Sequence, residues 1–296
     1  MIRQRDGIHI QTDQQIIADA RSTAGEINII SHAHSDHLTS GVDRALCSDT
    51  TASLIEARTD TSIQQAHHDR IDLLPSGHII GSRAALIQDT EETVLYTGDV
   101  STRDRAYLQG FQPPEADTLI IESTYGLPAY RFPDQQALEQ EIRDWVQDQD
   151  RPLLLFGYSL GKAQKIQHII QDATNRPIIA HGSIINMNRA VQETTDLSFS
   201  AAPYQDNKDL LQDDGILIAP SHSSRADWVE TLTAKHGAVK AGFSGWAVND
   251  SYQYRGDYDR AFPLSDHCDF SDLVELVRQV DPDQVYTHHG FDEAFA

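Results

Sequence analysis

Three histidines and an aspartate fall within six residues in Ser31-His32-Ala33-His34-Ser35-Asp36-His37. In a chain of this composition about 0.004 matches to HxHxDH arise by chance, so the spacing is a specific signal. Alternate side chains of an extended loop point the same way. His32 and His34 can therefore grip one cation, while Asp36 and His37 reach toward a second position beside it. Two further segments carry what a two-ion site still needs. His78 stands between glycines in Gly77-His78-Ile79-Ile80-Gly81-Ser82, which suits a tight loop with close backbone approach to a ligand. Asp99 follows Thr97-Gly98 just past the apolar run 93–96, where a carboxylate could bridge two ions. Alone, each of these two is weak, because a single His or Asp in a turn is structural more often than not.

Composition narrows the ligand chemistry. Two cysteines, Cys47 and Cys268, exclude a disulfide scaffold and a thiolate zinc finger, so a metal must be held by His and carboxylates. The 14 histidines fit that conclusion. Cys268 reads as a small buried residue, and His67 and His68 as solvated. No apolar run approaches the length that spans a membrane, and MIRQRDGIHIQ holds no signal-peptide core, so a cytoplasmic protein is expected. The net charge of −22, with Asp above Glu and Arg above Lys, reads as the halophilic surface of a protein working in concentrated salt. The alternative is an acidic face for a basic partner. In molar salt the Debye length is only about 3 Å, so an acidic protein can still meet an acidic polymer.

The elements that must hold these residues are legible as patterns. Residues 8–10 and 16–17 read as a hairpin, and 27–31 as a buried strand running into the His-rich loop. Strands at 83–88 and 93–96 are separated by the polar turn 89–92, and a strand at 117–121 ends at Glu122. After residue 133 the texture changes. Asp134 caps a helix with the stripe Leu138, Ile142, Trp145 and Val146. Strands at 153–156, 177–180, 216–219 and 238–243 then alternate with helices near 162–173, 184–193 and 226–234, which predicts a parallel sheet covered by helices. A helix at 270–280 and a strand at 284–287 close the chain. The plan is an α/β protein: a β-rich domain (1–130), an inserted α/β domain (131–261) and a return into the first domain (262–296). With 296 residues it is long enough for both.

In this order, SHAHSDH, GHIIGS and TGD resemble the metallo-β-lactamase superfamily. The segment 120–126 (IIESTYG) followed by 127–131 (LPAYR) is similar to the first signature of the β-CASP nucleases within it. YSLGKAQ (158–164), His181-Gly182, GFSGW (242–246), LSDH (264–267) and THHG (287–290) follow in the expected order. The resemblance covers nearly the whole chain. Its nearest subgroup looks like the ligase-associated DNA exonucleases and the archaeal proteins similar to the mRNA 3′-end cleavage nuclease. It implies a metallo-β-lactamase αββα sandwich with an inserted β-CASP domain. It also implies two Zn2+, with Mn2+ as the alternative metal. His32, His34 and His78 would hold one ion, Asp36, His37 and His289 the other, and Asp99 would bridge them. A water between two cations becomes a hydroxide near neutral pH and attacks phosphorus in line. Asp36, Glu122 and His267 are the implied catalytic residues, with Glu122 orienting His267 and keeping it protonated so that it can donate to the phosphate or leaving oxygen. Adjacent strand positions face opposite ways, so only one of His288 and His289 reaches the metal, and the family places the ligand just before glycine.

Nucleic-acid contacts are expected from Lys162, His181, Ser244 and Trp246. Gly161-Lys162 opens a helix right after a strand, where free N–H groups and the positive dipole end favour phosphate. The backbone at His181-Gly182 and Ser244-Gly245 could cradle phosphates likewise. Trp246 either stacks a base or packs in the interior. Family members usually continue past the last His-Gly with a helix and a strand, whereas here Asp292 looks like a helix cap with no helix after it. The expected function is a zinc-dependent, exonuclease-like hydrolase of DNA phosphodiesters. The alternatives are an RNA-processing nuclease of the same family, a non-catalytic nucleic-acid-binding subunit, and a hydrolase of small thioesters or lactams. Expected partners are single-stranded or end-containing nucleic acid, a DNA ligase or helicase, or RNA-processing machinery, with no membrane.

Overall fold

Alternating apolar residues build the first sheet of the computed structural model, which describes residues 1–38, 41–90, 92–212 and 214–296. Strands β1 (Ile2–Arg5), β2 (Gly7–Gln11), β3 (Gln15–Ala18) and β4 (Ile27–Ile29) lie side by side in chain order, the first three antiparallel and β4 parallel to β3. The short β5 (Arg44–Ala45), helix α1 (Asp49–Thr59) and β6 (Gln64–Gln65) follow. Then come β7 (Ile71–Pro75), β8 (Arg83–Gln88), β9 (Thr93–Tyr96) and β10 (Thr118–Glu122). Of the polar turn between β8 and β9, Glu91 lies outside the described residues.

The chain next forms α2 (Gln135–Gln147), β11 (Leu153–Gly157), α3 (Lys162–Gln171), β12 (Ile178–Ala180), α4 (Gly182–Thr194), β13 (Ala202–Pro203), β14 (Ile216–Pro220), α5 (Asp227–His236), β15 (Val239–Phe243), α6 (Ser251–Gly256) and β16 (Arg260–Phe262). It closes with α7 (Phe270–Val280), β17 (Gln284–His288) and the four-residue α8 (Asp292–Phe295). Asp292 therefore stands in the first turn of a short helix, with Phe291 at the cap position.

The chain divides into two compact units. The first comprises 1–103, 108–131 and 267–296, the second 104–107 and 132–266. The second seam differs from the expected one at 261. Phe262 and Leu264 are fully buried in the second unit's core, beside Leu155, Phe243 and Ile166, so 262–266 stay with it.

In the first unit, β17, β10, β9, β8 and β7 form a five-stranded sheet in that order. One face packs on the four-stranded sheet through Ile8, Ile10, Ile16, Ile29, Ile87, Val94, Tyr96 and Ile120. The opposite face packs on α7 through Leu95, Leu119, Ile121, Leu273, Leu276 and Val280. A strand buried on both faces needs apolar residues throughout, which is why β10 reads TLII before its terminal glutamate.

The second unit is a six-stranded parallel sheet in the order β13-β12-β14-β11-β15-β16. Leu153 and Leu155 face α2, α3 and α4, while Leu154 and Phe156 face α5, following the two-residue period of a strand. Asp134 caps α2 by accepting from Ala137 N at 2.9 Å. Ile166 of α3 is fully buried in this core. Ile166→Ala is expected to cost about 2–5 kcal/mol through lost burial and the cavity left behind, read as a lower urea midpoint.

Candidate metal centre

Five strands deliver the centre's side chains at their C-terminal ends. The loop leaving β4 is pinned by Arg83 N on Ser31 O (2.8 Å) and by the Arg58 guanidinium on Ala33 O (3.1 Å). The turn after β7 carries His78. Gly77 there has φ +71°, and a Cβ would lie 2.2 Å from Ser101 O, so no other residue fits. Ser76 Oγ donates to Asp99 O at 2.9 Å and ties this turn to the one after β9. β10 ends at Glu122. β17 ends at His288, and His289 follows in the left-handed region at φ +58°, its carbonyl accepting from Ser123 Oγ at 2.5 Å.

The donor atoms converge. His32 Nε2 lies 3.1 Å from His34 Nδ1 and 3.4 Å from Asp99 Oδ2. His78 Nε2 lies 3.2 Å from the same His34 nitrogen and 3.5 Å from the same Asp99 oxygen. Ligands bonded at about 2.0–2.1 Å around a tetrahedral ion sit roughly 3.3 Å apart, and the four separations bracket that value. His37, Asp99 and His289 form a second group, their ligand atoms within 4.8 Å of one another. His37 Nε2 is 3.7 Å from Asp99 Oδ2 and 3.9 Å from Asp36 Oδ2. These wider spacings leave positions for further ligands. One oxygen, Asp99 Oδ2, faces both groups. This His/Asp cluster could bind divalent metal.

A residue that the sequence reading missed sets the orientation of the histidines. Asp19 follows β3 and is buried. Its Oδ1 accepts from Ser31 N (2.8 Å), and its Oδ2 accepts from Ser31 Oγ (2.5 Å) and Tyr96 Oη (2.6 Å). The same Oδ2 lies 3.0 Å from His37 Nδ1. With its proton on Asp19, Ser31 Oγ can only accept from His32 Nδ1, 2.9 Å away. Both rings thus carry Nδ1–H and turn a bare Nε2 toward the cluster once His37 is neutral. Burial and the neighbouring imidazoles of His37, His78 and His34 hold the His32 pKa well below its ordinary value. Burial would lower His37 too, but the charges of Asp99, Asp19 and Asp36 outweigh it and raise its pKa to about 10. The signal in the sequence was slight: one Asp directly after the apolar run Ile16-Ile17-Ala18.

Glu122 and His267 stand next to Asp99, the ligand atoms of the three within 4.8 Å of one another. His267 Nδ1 meets Glu122 Oε1 at 2.7 Å, and the carboxylate also accepts from Val100 N (2.9 Å) and Thr124 N (3.3 Å). Burial would raise the Glu122 pKa, but His267 and these donors hold it down to about 2. His288 turns into the protein beside Tyr96, buried and pushed down to about 3 by burial and His289. Cys268 is buried, His67 is exposed beside Asp69, and His68 bonds Gln14 at 3.0 Å.

The second unit places Lys162, His181 and Ser244 after β11, β12 and β15, hence at one edge of its parallel sheet. The side chains of all three have partners within that unit. Lys162 is 3% exposed, with Nζ 2.8 Å from Asp266 Oδ2. Lys165 pairs with the same carboxylate, and Arg105 donates to Ser265 O and Asp266 O. A buried ammonium answers a buried carboxylate first. His181 Nδ1 caps α4 by accepting from Ser183 N at 3.2 Å, and Ser244 Oγ accepts from Trp246 N at 3.3 Å. Trp246 is half-buried.

No protein-family model matches the chain. It is 34% identical over 284 aligned residues, 91% of its length, to a protein named "Probable DNA ligase" from Opitutus terrae. It is 27% identical over 201 residues to an "RNase J-like protein" from Methanocaldococcus jannaschii, and 30% identical over 118 residues to "Cleavage and polyadenylation specificity factor subunit 3" from Dictyostelium discoideum. The chain belongs to the metallo-β-lactamase/β-CASP family. It spans 27%, 48% and 15% of the lengths of these three family members. A crystal structure of a protein of unknown function from Enterococcus faecalis has the same fold, with TM-score 0.63 and 15% identity, over 95% of this chain and 80% of the other.

Two outcomes are expected of this centre. Asp19→Asn keeps the shape but loses the carboxylate, and should weaken metal binding about 10–100-fold in competition with a chelating dye. Glu122 has a depressed pKa when folded. Its contribution to stability is therefore present above its ordinary value of 4.5 and is lost as pH falls toward 2. Between those values the unfolding free energy should fall more steeply in the parent chain than in Glu122→Gln, measured by urea titration at several pH values.

Proposed function

We propose that this chain is a metal-dependent nuclease that hydrolyses phosphodiesters of DNA. Its architecture would be a metallo-β-lactamase αββα sandwich carrying a β-CASP insertion at 132–266, and its metals two Zn2+. The observation that carries the reading is the donor geometry: four ligand atoms within 4.8 Å of one another, four of their separations at 3.1, 3.2, 3.4 and 3.5 Å, with Asp99 shared by a second group. Zinc bound there would activate water and neutralise phosphate charge. His32, His34, His78 and Asp99 would hold one ion, and Asp36, His37, His289 and Asp99 the other. His267 is oriented through Nδ1 by Glu122, which leaves Nε2 to carry a proton to the leaving oxygen. Glu122 stays ionised and keeps that ring in place.

DNA is favoured over RNA by one observation. The relative named as a probable DNA ligase aligns over 91% of this chain, while the "RNase J-like protein" and "Probable RNase MJ4" align over 53% and 40%. The same relative supports work beside a DNA ligase. Lys162, His181, Ser244 and Trp246 would line the strand's path with their backbone and rings, Lys162 acting through Asp266 and not on phosphate directly. A complete ligand set argues against a non-catalytic subunit.

End-labelled single-stranded DNA and RNA of equal length, incubated with zinc in molar KCl, test the reading. DNA should shorten from an end, and Asp99→Ala or His32→Ala should abolish cleavage while leaving the fold's melting transition in place. Full activity in a metal-stripped sample, or preference for RNA or for a chromogenic lactam or thioester, would overturn the corresponding part.

A further inference from the structure

Beside Asp36 and His289, the β1–β2 turn and the ends of β3 and β17 enclose a cavity of about 300 Å³ whose lining includes Arg5, Arg21, Tyr96 and His288. Its carboxylates are already engaged. Asp6 accepts from Arg21 N, Ser22 N, Ser22 Oγ and Thr23 Oγ1, all within 2.9 Å. Asp19 is filled by Ser31, Tyr96 and His37. Asp36 stands at the metal centre. Donors remain. The Arg5 guanidinium has no ion pair or hydrogen bond among the described residues. His288 is 1% exposed, yet neither ring nitrogen has a partner. A buried imidazole with nothing to bond is costly, and an apolar residue would fill that strand position better unless a ligand uses the ring. Arg5 also lines a neighbouring cavity of about 270 Å³ with Arg3 and His9, so donors continue along the hairpin.

We propose that the cavity binds a phosphate group, held by Arg5 and by the His288 ring. Guanidinium and imidazole N–H both donate, and the ionised oxygens of a phosphate group accept. Such a phosphate could belong to a nucleic-acid strand at the centre or to a free phosphate or mononucleotide. The strand as its source rests on the nuclease reading, whereas the cavity's chemistry does not.

The test titrates inorganic phosphate, a 5′-mononucleotide, and a phosphorothioate hexanucleotide with and without a 5′-phosphate into the full chain. Binding is read by calorimetry and by the 15N shifts of His288, with zinc content measured on every sample. Arg5→Gln and His288→Val should each weaken the phosphate-bearing probes about tenfold at unchanged zinc content, the loss of one charge-assisted bond. Arg5 is exposed, so its substitution leaves folding intact even if His288→Val does not. Binding of all phosphate probes alike assigns a free-phosphate site, and preference for the hexanucleotide assigns a strand site. Both support the proposal. Parent-like binding in both variants, with His288→Val merely raising the melting temperature, overturns it. If the parent cleaves DNA and the variants bind normally, only this proposal falls. If the parent binds phosphate through His288 but cleaves nothing, only the nuclease reading falls.

Discussion

One buried carboxylate decides which way the metal-facing histidines present their lone pairs. Asp19 takes both hydroxyl protons offered by Ser31 and Tyr96 and sits 3.0 Å from His37 Nδ1. Imidazole has two nitrogens, and only the one without a proton can bind a cation. By fixing Nδ1–H on His37 directly, and on His32 through Ser31, Asp19 dictates Nε2 as the ligand atom in both. Asp19 N donates to Ile29 O at 3.0 Å, so the strand that launches the His-rich loop also holds the residue that orients it. The two-sheet packing matters to function for this reason: Tyr96 comes from the second sheet and reaches Asp19 across the core.

The same crowding sets the electrostatics. Imidazoles a few ångströms apart cannot all be charged, and burial holds His32 neutral and ready to bind. His37 differs because three carboxylates face it, and its proton must leave before a cation can take its place. Metal uptake at the second position is therefore linked to proton release, more so than at the first. Glu122 works in the opposite sense. Two backbone amides and His267 keep it charged inside the protein, which makes it a fixed support for the ring at its side.

What could be read from the chain follows the range of the interactions involved. The His-rich loop was legible because its ligands lie within six residues, and α2, α3 and α7 because one apolar face repeats along each. Helix α1 was not, since its buried residues are Thr50, Thr51, Leu54 and Ile55, half of them polar. Asp19 left only a slight signal because its partners lie 12, 18 and 77 residues away. Lys162 illustrates the same limit. Its place in the first turn of a helix suggested a phosphate, but the partner that claims it, Asp266, comes from the far end of the second unit. The seam at 266 was misplaced at 261 because the burial of Phe262 and Leu264 depends on strands and helices distant in sequence.

The charge of −22 then constrains how an anionic polymer could be held at all. Several of the chain's cations are paired with its own carboxylates: Lys162 and Lys165 on Asp266, Lys240 on Asp257, Arg103 on Asp269 and Asp272, Arg260 on Glu141. Each of these carboxylates offsets part of the positive field that its cations would add. Attraction over distance is therefore weak, and in molar salt it would vanish within about 3 Å. Affinity must come from short-range contacts instead, and divalent cations caged by Asp99 and its histidines would be the strongest local positive charges available. On the nuclease reading, a centre built this way would make substrate binding and catalysis depend on the same ions.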